Sequence, residues 1–299
     1  MYSGLLIILV PLIVGYSLPA KSRFLQKLVN KLLSWMVYVI LFFMGISLAF
    51  LDNLATNLQA IFYYCLISAA CILICNLLAL RLLECRHPWH HNHHQESLPS
   101  RLHMALESLK LCGVVVAGFV TGLSHWPPLK HASEASNYAL LLLLFLVGLQ
   151  LRGSRMTLQQ IILNRRGLMV SLVVLMSALF GGIIAALVLD FPLKTGLALA
   201  SGFGWYSLSG ILMSESFGPV IGSAAFFNDL LRELLAIMLI PALITHHRSS
   251  ALGLCGATSM DFTLPVLQRS GGMEMVPAAI VHGFLLSLAA PLLIALFSS

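Results

Sequence analysis

Long apolar runs alternate with short polar segments along this chain, and the pattern predicts helices rather than strands. A helix needs about 20 mostly apolar residues to cross a bilayer. The first two-thirds of the chain contains six runs of roughly that length, at residues 3–19, 31–51, 58–83, 105–123, 136–151 and 167–189. Because a backbone in lipid must satisfy its own hydrogen bonds, we expect every run to be helical. The sequence therefore predicts an all-α polytopic membrane protein.

The last third of the chain has a different pattern. Its four apolar runs, at 193–214, 222–245, 251–267 and 273–297, are interrupted by Gly, Ser, Thr, Asn and Asp. Such interruptions are typical of broken or re-entrant segments that line a protein interior. Ten spans result if all four runs cross, and eight if 193–214 and 251–267 are re-entrant. We expect eight to ten transmembrane helices in a single transporter-like domain, residues 1–299.

The composition excludes several classes of protein. Of the 299 residues, 59% are hydrophobic and only 9% are charged, whereas soluble domains carry about 25% charged residues. Soluble enzymes, disordered chains and nucleic-acid-binding proteins are thereby excluded. The six cysteines include no C-x-x-C pair, so we expect neither a disulfide scaffold nor a thiolate metal site. No cofactor and no metal are predicted.

The basic residues predict the orientation of the chain. The alternate loops at 20–31, 81–104 and 152–166 carry eleven Lys and Arg, and the intervening loops carry only Lys130 and Lys194. Because cytoplasmic loops are enriched in basic residues, we expect these three loops in the cytoplasm and both termini outside. Residues 1–19 are expected to remain as the first span, since no basic segment precedes them. In the eight-span arrangement the tract 246–248 is also cytoplasmic.

A short internal similarity suggests two related halves. The segment 109–113, Leu-Lys-Leu-Cys-Gly, recurs at 252–256 as Leu-Gly-Leu-Cys-Gly. Corresponding Gly-interrupted segments in two halves are typical of inverted-repeat transporters. The repeat halves would be about 1–152 and 167–299.

Three charges fall in one otherwise apolar run near the end of the chain. Asp229, Arg232 and Glu233 lie within 226–240, and Asp229 and Glu233 share one face of a helix. Each charge costs roughly 2.5–3.5 kcal/mol at the bilayer centre, so we expect them to line a protein interior or an aqueous cavity. One alternative is an Asp229–Arg232 pair that neutralises itself. Such a pair would not neutralise Glu233, which is a natural site for a proton or a cation.

Two interrupted segments and two further carboxylates complete the candidate site. We expect 201–210 to be unwound and to line a cavity, although close helix packing through its small residues is an alternative. Within it, Trp205 and Tyr206 offer cation–π contacts and Ser207 and Ser209 offer hydroxyls. We expect a second broken helix over 256–265, where free backbone groups could bind ions or substrate. Its candidate residues are Ser259 and Asp261, and Asp52 ends the second span.

An intramembrane protease is the main enzymatic alternative. No H-E-x-x-H sequence occurs, which removes the zinc version. A Ser209–His282 dyad or an Asp229–Asp261 dyad can be imagined, but neither has a surrounding motif. For His282, within the last span, a structural hydrogen bond is the simpler interpretation than a proton relay. An enzyme is therefore not expected.

Several long segments resemble the LysO lysine exporter family of enterobacteria. They are residues 3–11, 43–52, 202–210, 215–229 and 252–262. The similarity extends over essentially the whole chain.

The resemblance implies an exporter of L-lysine and its toxic analogue thialysine in the bacterial inner membrane, and the basic loops then predict periplasmic termini. It also implies distant kinship with cation/proton antiporters and bile-acid-type transporters, whose folds use inverted repeats and crossed broken helices. The family's pair of intramembrane acidic residues matches Glu233 and Asp52. Lysine, protons and the bilayer would then be the partners, with antiport as the mechanism, and antiport of a different cation is the alternative.

Overall fold

The computed structural model describes residues 10–11, 13–18, 23–50, 54–89, 101–124, 126–153, 164–260, 262–272 and 274–299, and all regular structure in these residues is helical. The α-helices are α1 Arg23–Ala49, α2 Leu54–Arg86, α3 Arg101–Gly122, α4 Ala132–Gly153, α5 Arg165–Leu189, α6 Leu193–Ala200, α7 Tyr206–Phe217, α8 Pro219–Leu243, α9 Arg248–Cys255, α10 Leu264–Gly271 and α11 Met275–Ser298. Short 3₁₀ helices lie at Pro127–His131 and Gly256–Met260. The all-α prediction is confirmed.

Four of the described helices are long and apolar enough to cross a membrane. These segments are Gln26–Ala49, Thr56–Arg86, Arg165–Leu189 and Met275–Ser298. Large apolar side chains on their outer faces are exposed, including Leu78 on α2 and Leu187 on α5. Exposed apolar faces along several long helices are unfavourable in water, whereas the hydrocarbon interior of a bilayer accommodates them. The protein is therefore an integral membrane protein.

The long helices define two ends of the bundle. α5 and α11 begin at the same end, because Gly167 packs against Ala278 and Val281. They also finish together, since the ammonium group of Lys194, just after α5, donates to the backbone oxygen of Ser299 at 2.7 Å. We call the end where α5 begins end 1 and the end where it finishes end 2.

Helices α6 and α7 form a hairpin that enters and leaves at end 2. α6 starts beside the last turns of α5, where Gly196 packs against Gly182 and Ala186. α7 runs antiparallel to α8, because Gly210 packs against Phe226 and the next contact along is Ser214 with Gly222. Since α8 finishes at end 1, as shown next, its start and the end of α7 both lie at end 2. We call residues 193–217 the first hairpin.

Helices α9 and α10 form a second hairpin, residues 248–271, which enters from end 1. The last turn of α10 lies beside the end of α8 and the start of α11, because Gly271 packs against Ile244 and Met275. The start of α9 is bound to the last turns of α2, where the Ser249 N–H donates to Glu84 Oε2 at 2.7 Å. Within the described residues, both interrupted runs thus return to the end from which they enter, as the re-entrant alternative for 193–214 and 251–267 predicts.

Helices α1, α3 and α4 pack together as a second group beside the hairpins. Glycines allow α1 and α3 to approach closely: a Cβ at Gly45 or Gly118 would overlap the backbone of the facing helix. This group meets α8 through an apolar cluster in which Leu41 and Val115 pack with Phe226 and Leu230. Helix α8 therefore lies between the hairpins and the group formed by α1, α3 and α4.

One expectation about particular segments is wrong. Residues 109–113 lie inside α3, which is continuous over 22 residues, whereas 252–256 ends a half-helix, so these two segments do not share an interrupted structure. Glu84 lies near the end of α2. It is only 8% exposed, because it accepts hydrogen bonds from the N–H groups of Ser249 and Trp89 and so caps the start of α9.

Candidate functional site

The tips of the two hairpins meet through their backbones. The Ala257 N–H in the second tip donates to the Phe203 carbonyl oxygen in the first tip at 2.9 Å. Gly256 has φ of +61°, and a Cβ there would overlap the same oxygen of Phe203. Phe203 itself has φ of +51° and is fully buried. A non-glycine residue keeps this conformation only where its surroundings hold it, so the packed tips fix each other's shape.

Asp229 of α8 caps the first tip. Its Oδ1 accepts the Gly204 N–H at 3.1 Å, and its Oδ2 accepts the Ser209 hydroxyl at 2.5 Å. The Asn228 side-chain amide donates to Oδ1 at 3.2 Å. The Asp229 side chain is 2% exposed and, through these bonds, contacts the first turn of α7. A carboxylate is stabilised there, because the first N–H groups of a helix have no partner within the helix.

Arg232, one turn along α8, caps the second tip. Its Nε donates to the Leu254 carbonyl at 3.1 Å, and its Nη2 donates to the Gly253 carbonyl at 2.7 Å. Both carbonyls belong to the last turn of α9, where a cation compensates the helix dipole. Asp229 and Arg232 are therefore divided between the two hairpins, one charge for each, instead of serving chiefly to neutralise each other.

Glu233 is the third charge of α8, and it is 1% exposed. It lies one turn after Asp229, close enough to interact electrostatically with Cys255 at the end of α9. With all three side chains ionised, the formal charges of Asp229, Arg232 and Glu233 sum to one negative charge in a buried region. A proton or a bound cation at this place would make the sum zero, as a low-dielectric interior favours.

The serines and aromatic residues of the first hairpin lie at its tip. The break covers 201–205, and α7 begins at Tyr206, so the prediction of an unwound 201–210 is right for its first half only. Ser209 is buried on Asp229, and Tyr206 makes an edge contact with Phe226 at 5.7 Å between ring centroids. Trp205 packs against the main apolar core and Ser207 is partly buried.

The second tip is held by α11. α9 ends at Cys255, the 3₁₀ helix Gly256–Met260 follows, and α10 begins at Leu264, in agreement with the predicted broken helix. The Ser259 hydroxyl donates to the Ala279 carbonyl at 2.9 Å, and Gly283 packs against Met260. Asp261 lies outside the described residues, as does Asp52. Their candidate roles stay predictions.

Comparison with known proteins identifies the family. Residues 112–298, which contain both hairpins and α8, match the family described as lysine exporter LysO. The chain belongs to this family. The resemblance noted in the sequence is thereby confirmed, and the family's characteristic region contains the meeting point of the tips.

Two relatives illustrate the extent of the match. A protein of Escherichia coli strain K12 named "Lysine exporter LysO" is 69% identical over 299 residues, which is all of both chains. A protein of Haemophilus influenzae named "Putative lysine exporter" is 45% identical over 193 residues, which is 64% of this chain and 97% of that protein. Both names are those of transporters rather than enzymes.

The contacts of the lysine exporter site do not support the serine dyad considered above. The Ser209 hydroxyl is bound to Asp229, and Nδ1 of His282 contacts the hydroxyl of Ser171 at 3.0 Å instead. The described residues also contain no group of three or more His, Cys, Asp or Glu side chains able to hold a metal ion.

Sequence reasoning missed two features of the site. Ser171 was not considered, although a polar residue within the apolar run 167–189 is a signal of internal packing. The contact between Phe203 and Ala257 joins residues with no polar side chain, so no pattern in the sequence indicates it.

Proposed function

We propose that this protein exports L-lysine from the cytoplasm in exchange for protons, with Glu233 as the carboxylate that holds either a proton or the substrate cation. The names of its relatives support lysine as the substrate. End 1, which carries most of the basic residues, would face the cytoplasm, and both termini would be periplasmic in the inner membrane.

The observation that carries the proposal is the distribution of charge along α8. Asp229 is bonded to the first tip and Arg232 to the second, so their charges stabilise the hairpins. Glu233 is buried beside them and supplies the extra negative charge. A carboxylate that is neutralised by a proton in one state and by an ammonium group in the other couples the two flows. The family's second acidic position, Asp52, would share this role.

The exchange is favoured energetically. Lysine carries one net positive charge at neutral pH, and moving it outward against an inside-negative potential costs roughly 2.3 kcal/mol per 100 mV. One proton moving inward cancels that charge movement and adds the energy of the pH gradient. Thialysine carries the same charged groups, so a site that binds the ends of the molecule would also transport it.

The two tips would provide the remaining contacts with lysine. Trp205 and Tyr206 stand at the start of α7, where an aromatic face can bind an ammonium group. Ser207 in the first turn of α7 and Ser259 in the second tip offer hydroxyl oxygens, and the candidate Asp261 would offer a carboxylate. Backbone groups released at the breaks at 201–205 and 256–263 can bind the amino and carboxylate groups of the substrate.

Transport by the purified full-length protein in lipid vesicles tests the proposal. Vesicles loaded with unlabelled lysine should take up radiolabelled lysine by exchange, and an imposed pH gradient should drive net lysine movement. Glu233→Gln should abolish both while the protein is still inserted and monodisperse. Glu274→Gln, which alters an exposed carboxylate at the start of α11, is the matched control and should transport normally.

The possible results separate the candidate functions. Undiminished proton-coupled flux in Glu233→Gln would reject the role of this carboxylate. Exchange of another cation but not of lysine would favour an antiporter with a different substrate. Peptide cleavage without any flux would favour the intramembrane protease.

A further inference from the structure

His282 of α11 lies at the depth of the second hairpin tip. The neighbouring Gly283 approaches the tip so closely that a Cβ there would lie 2.7 Å from the Met260 nitrogen and 2.9 Å from the Ala257 carbonyl oxygen. His282 is fully buried, and Arg232 is near enough for its charge to act on the imidazole ring. His282 therefore lies on the turn of α11 that packs against the second tip, and its ring contacts Ser171 of α5.

One hydroxyl group determines which nitrogen of His282 carries hydrogen. The Ser171 Oγ lies 2.7 Å from the Gly167 carbonyl oxygen and 3.0 Å from Nδ1 of His282. Since a hydroxyl has a single hydrogen, both contacts are satisfied only when Ser171 donates to Gly167 and the ring's Nδ1–H donates to Ser171. We assign this tautomer from the hydrogen-bond network. Nε2 is then a lone-pair acceptor.

Nε2 is buried, and no group among the described residues donates to it. The neighbouring cation does not fill this role, because Arg232 donates to the carbonyls of Gly253 and Leu254. Buried polar atoms in proteins are nearly always hydrogen-bonded. A buried acceptor held in one tautomer, on the turn of α11 that packs against the second hairpin tip, is thus suited to a ligand that brings an N–H donor.

We propose that His282 is a substrate-binding residue whose Nε2 accepts an N–H from an ammonium group of the transported amino acid. This inference rests on the proposed function. The carboxylate of the substrate has no hydrogen to donate, so the ring recognises only the ammonium part of the molecule. In this proposal Glu233 supplies charge, and His282 supplies a directional hydrogen bond.

Two substitutions separate substrate binding from a structural role. In His282→Asn the side-chain amide can still donate to Ser171, but nothing replaces Nε2. In His282→Gln the longer side chain can place an amide oxygen near the position of Nε2, while the donor to Ser171 is lost. Ser171→Ala removes the structural partner of the ring and leaves His282 in place.

Lysine binding by the purified full-length variants in detergent gives the decisive comparison. A hydrogen bond to a charged group corresponds to about a tenfold or greater change in affinity. We expect about tenfold weaker lysine binding for His282→Asn, and affinities within about threefold of the unmodified protein for His282→Gln and Ser171→Ala. Elution on size exclusion and melting temperature establish which variants are folded.

Four outcomes of the binding experiment would contradict the proposed role of His282 or of the protein. Folded His282→Asn with unchanged lysine affinity contradicts it, and so does a ranking in which His282→Gln and Ser171→Ala bind more weakly than His282→Asn. If His282→Asn does not fold, loss of lysine binding by folded His282→Gln contradicts it instead. Absence of lysine binding by the unmodified protein would refute the proposed function itself, which keeps the two failures distinct.

Discussion

The substitution Arg232→Gln tests how the two hairpins are held together. The Arg232 guanidinium makes hydrogen bonds of 3.1 and 2.7 Å to the last carbonyls of α9. It also lies in the same buried region as Asp229, which binds the other tip. Gln at this position removes the charge and cannot reproduce both bonds. The end of α9 and the carboxylate of Asp229 would then lose their compensating cation.

The magnitude follows from burial. Hydrogen bonds to charged groups are worth roughly 1.5–3 kcal/mol each, so the two bonds together set a range of about 3–6 kcal/mol. Removing one member of a buried charge pair costs about 3–5 kcal/mol by an independent measure. We therefore expect Arg232→Gln to lower the free energy of unfolding by about 3–5 kcal/mol.

Equilibrium unfolding in mixed micelles of increasing SDS content measures this loss, and Arg166→Gln is the matched control. Arg166 also donates to two carbonyls, those of His87 and Pro88, at 2.6 and 2.9 Å, but in an exposed position. Solvent screens the guanidinium there, so we expect a loss of at most about 1 kcal/mol. Similar small losses for both variants would refute the claim that Arg232 holds the second hairpin.

Two further predictions concern the hairpins. Gly256→Ala should destabilise the protein by more than Gly218→Ala. Both glycines have positive φ, which costs about 1–3 kcal/mol for other residues, but only at Gly256 would the Cβ also overlap Phe203. Equal melting temperatures of the two variants would contradict the tip contact. Glu84→Ala should increase amide hydrogen exchange at 248–255, because it removes a cap worth about 1 kcal/mol. Unchanged exchange would show that the cap is unimportant.

Much of the fold follows from hydrophobic length and charge. The runs at 31–51, 58–83, 167–189 and 273–297 became α1, α2, α5 and α11, because lipid requires long apolar helices. The basic loops favoured the arrangement in which the tract 246–248 lies at the same end as Arg166. That preference corresponds to the observed hairpins, and it came from charge alone.

The sequence could not decide how the interrupted runs turn. Gly, Ser and Pro indicate a break, but a broken helix that crosses and one that returns have the same composition. The choice depends on distant contacts, such as Gly271 with Ile244 and Ser249 with Glu84. The burial of Glu84 is likewise not indicated by its local sequence, since its partner Ser249 lies 165 residues away.

The sequence predicted that three charged residues share one buried helix, but not which hairpin each of them would bind. Helical spacing correctly placed Asp229, Arg232 and Glu233 on neighbouring faces of one helix. Which backbone each charge would meet depends on the approach of the hairpin tips, and that approach depends on Phe203 and Gly256. These residues carry no charge, and their role is visible only in three dimensions.

The most direct test of the account is the internal pH of vesicles that contain the reconstituted protein and lysine, measured with a trapped fluorescent dye. When the vesicles are diluted into lysine-free medium, outward lysine movement should acidify the interior, and Glu233→Gln should show neither lysine loss nor acidification. Lysine efflux through the unmodified protein with no change of internal pH would contradict the exchange of lysine for protons at a buried carboxylate.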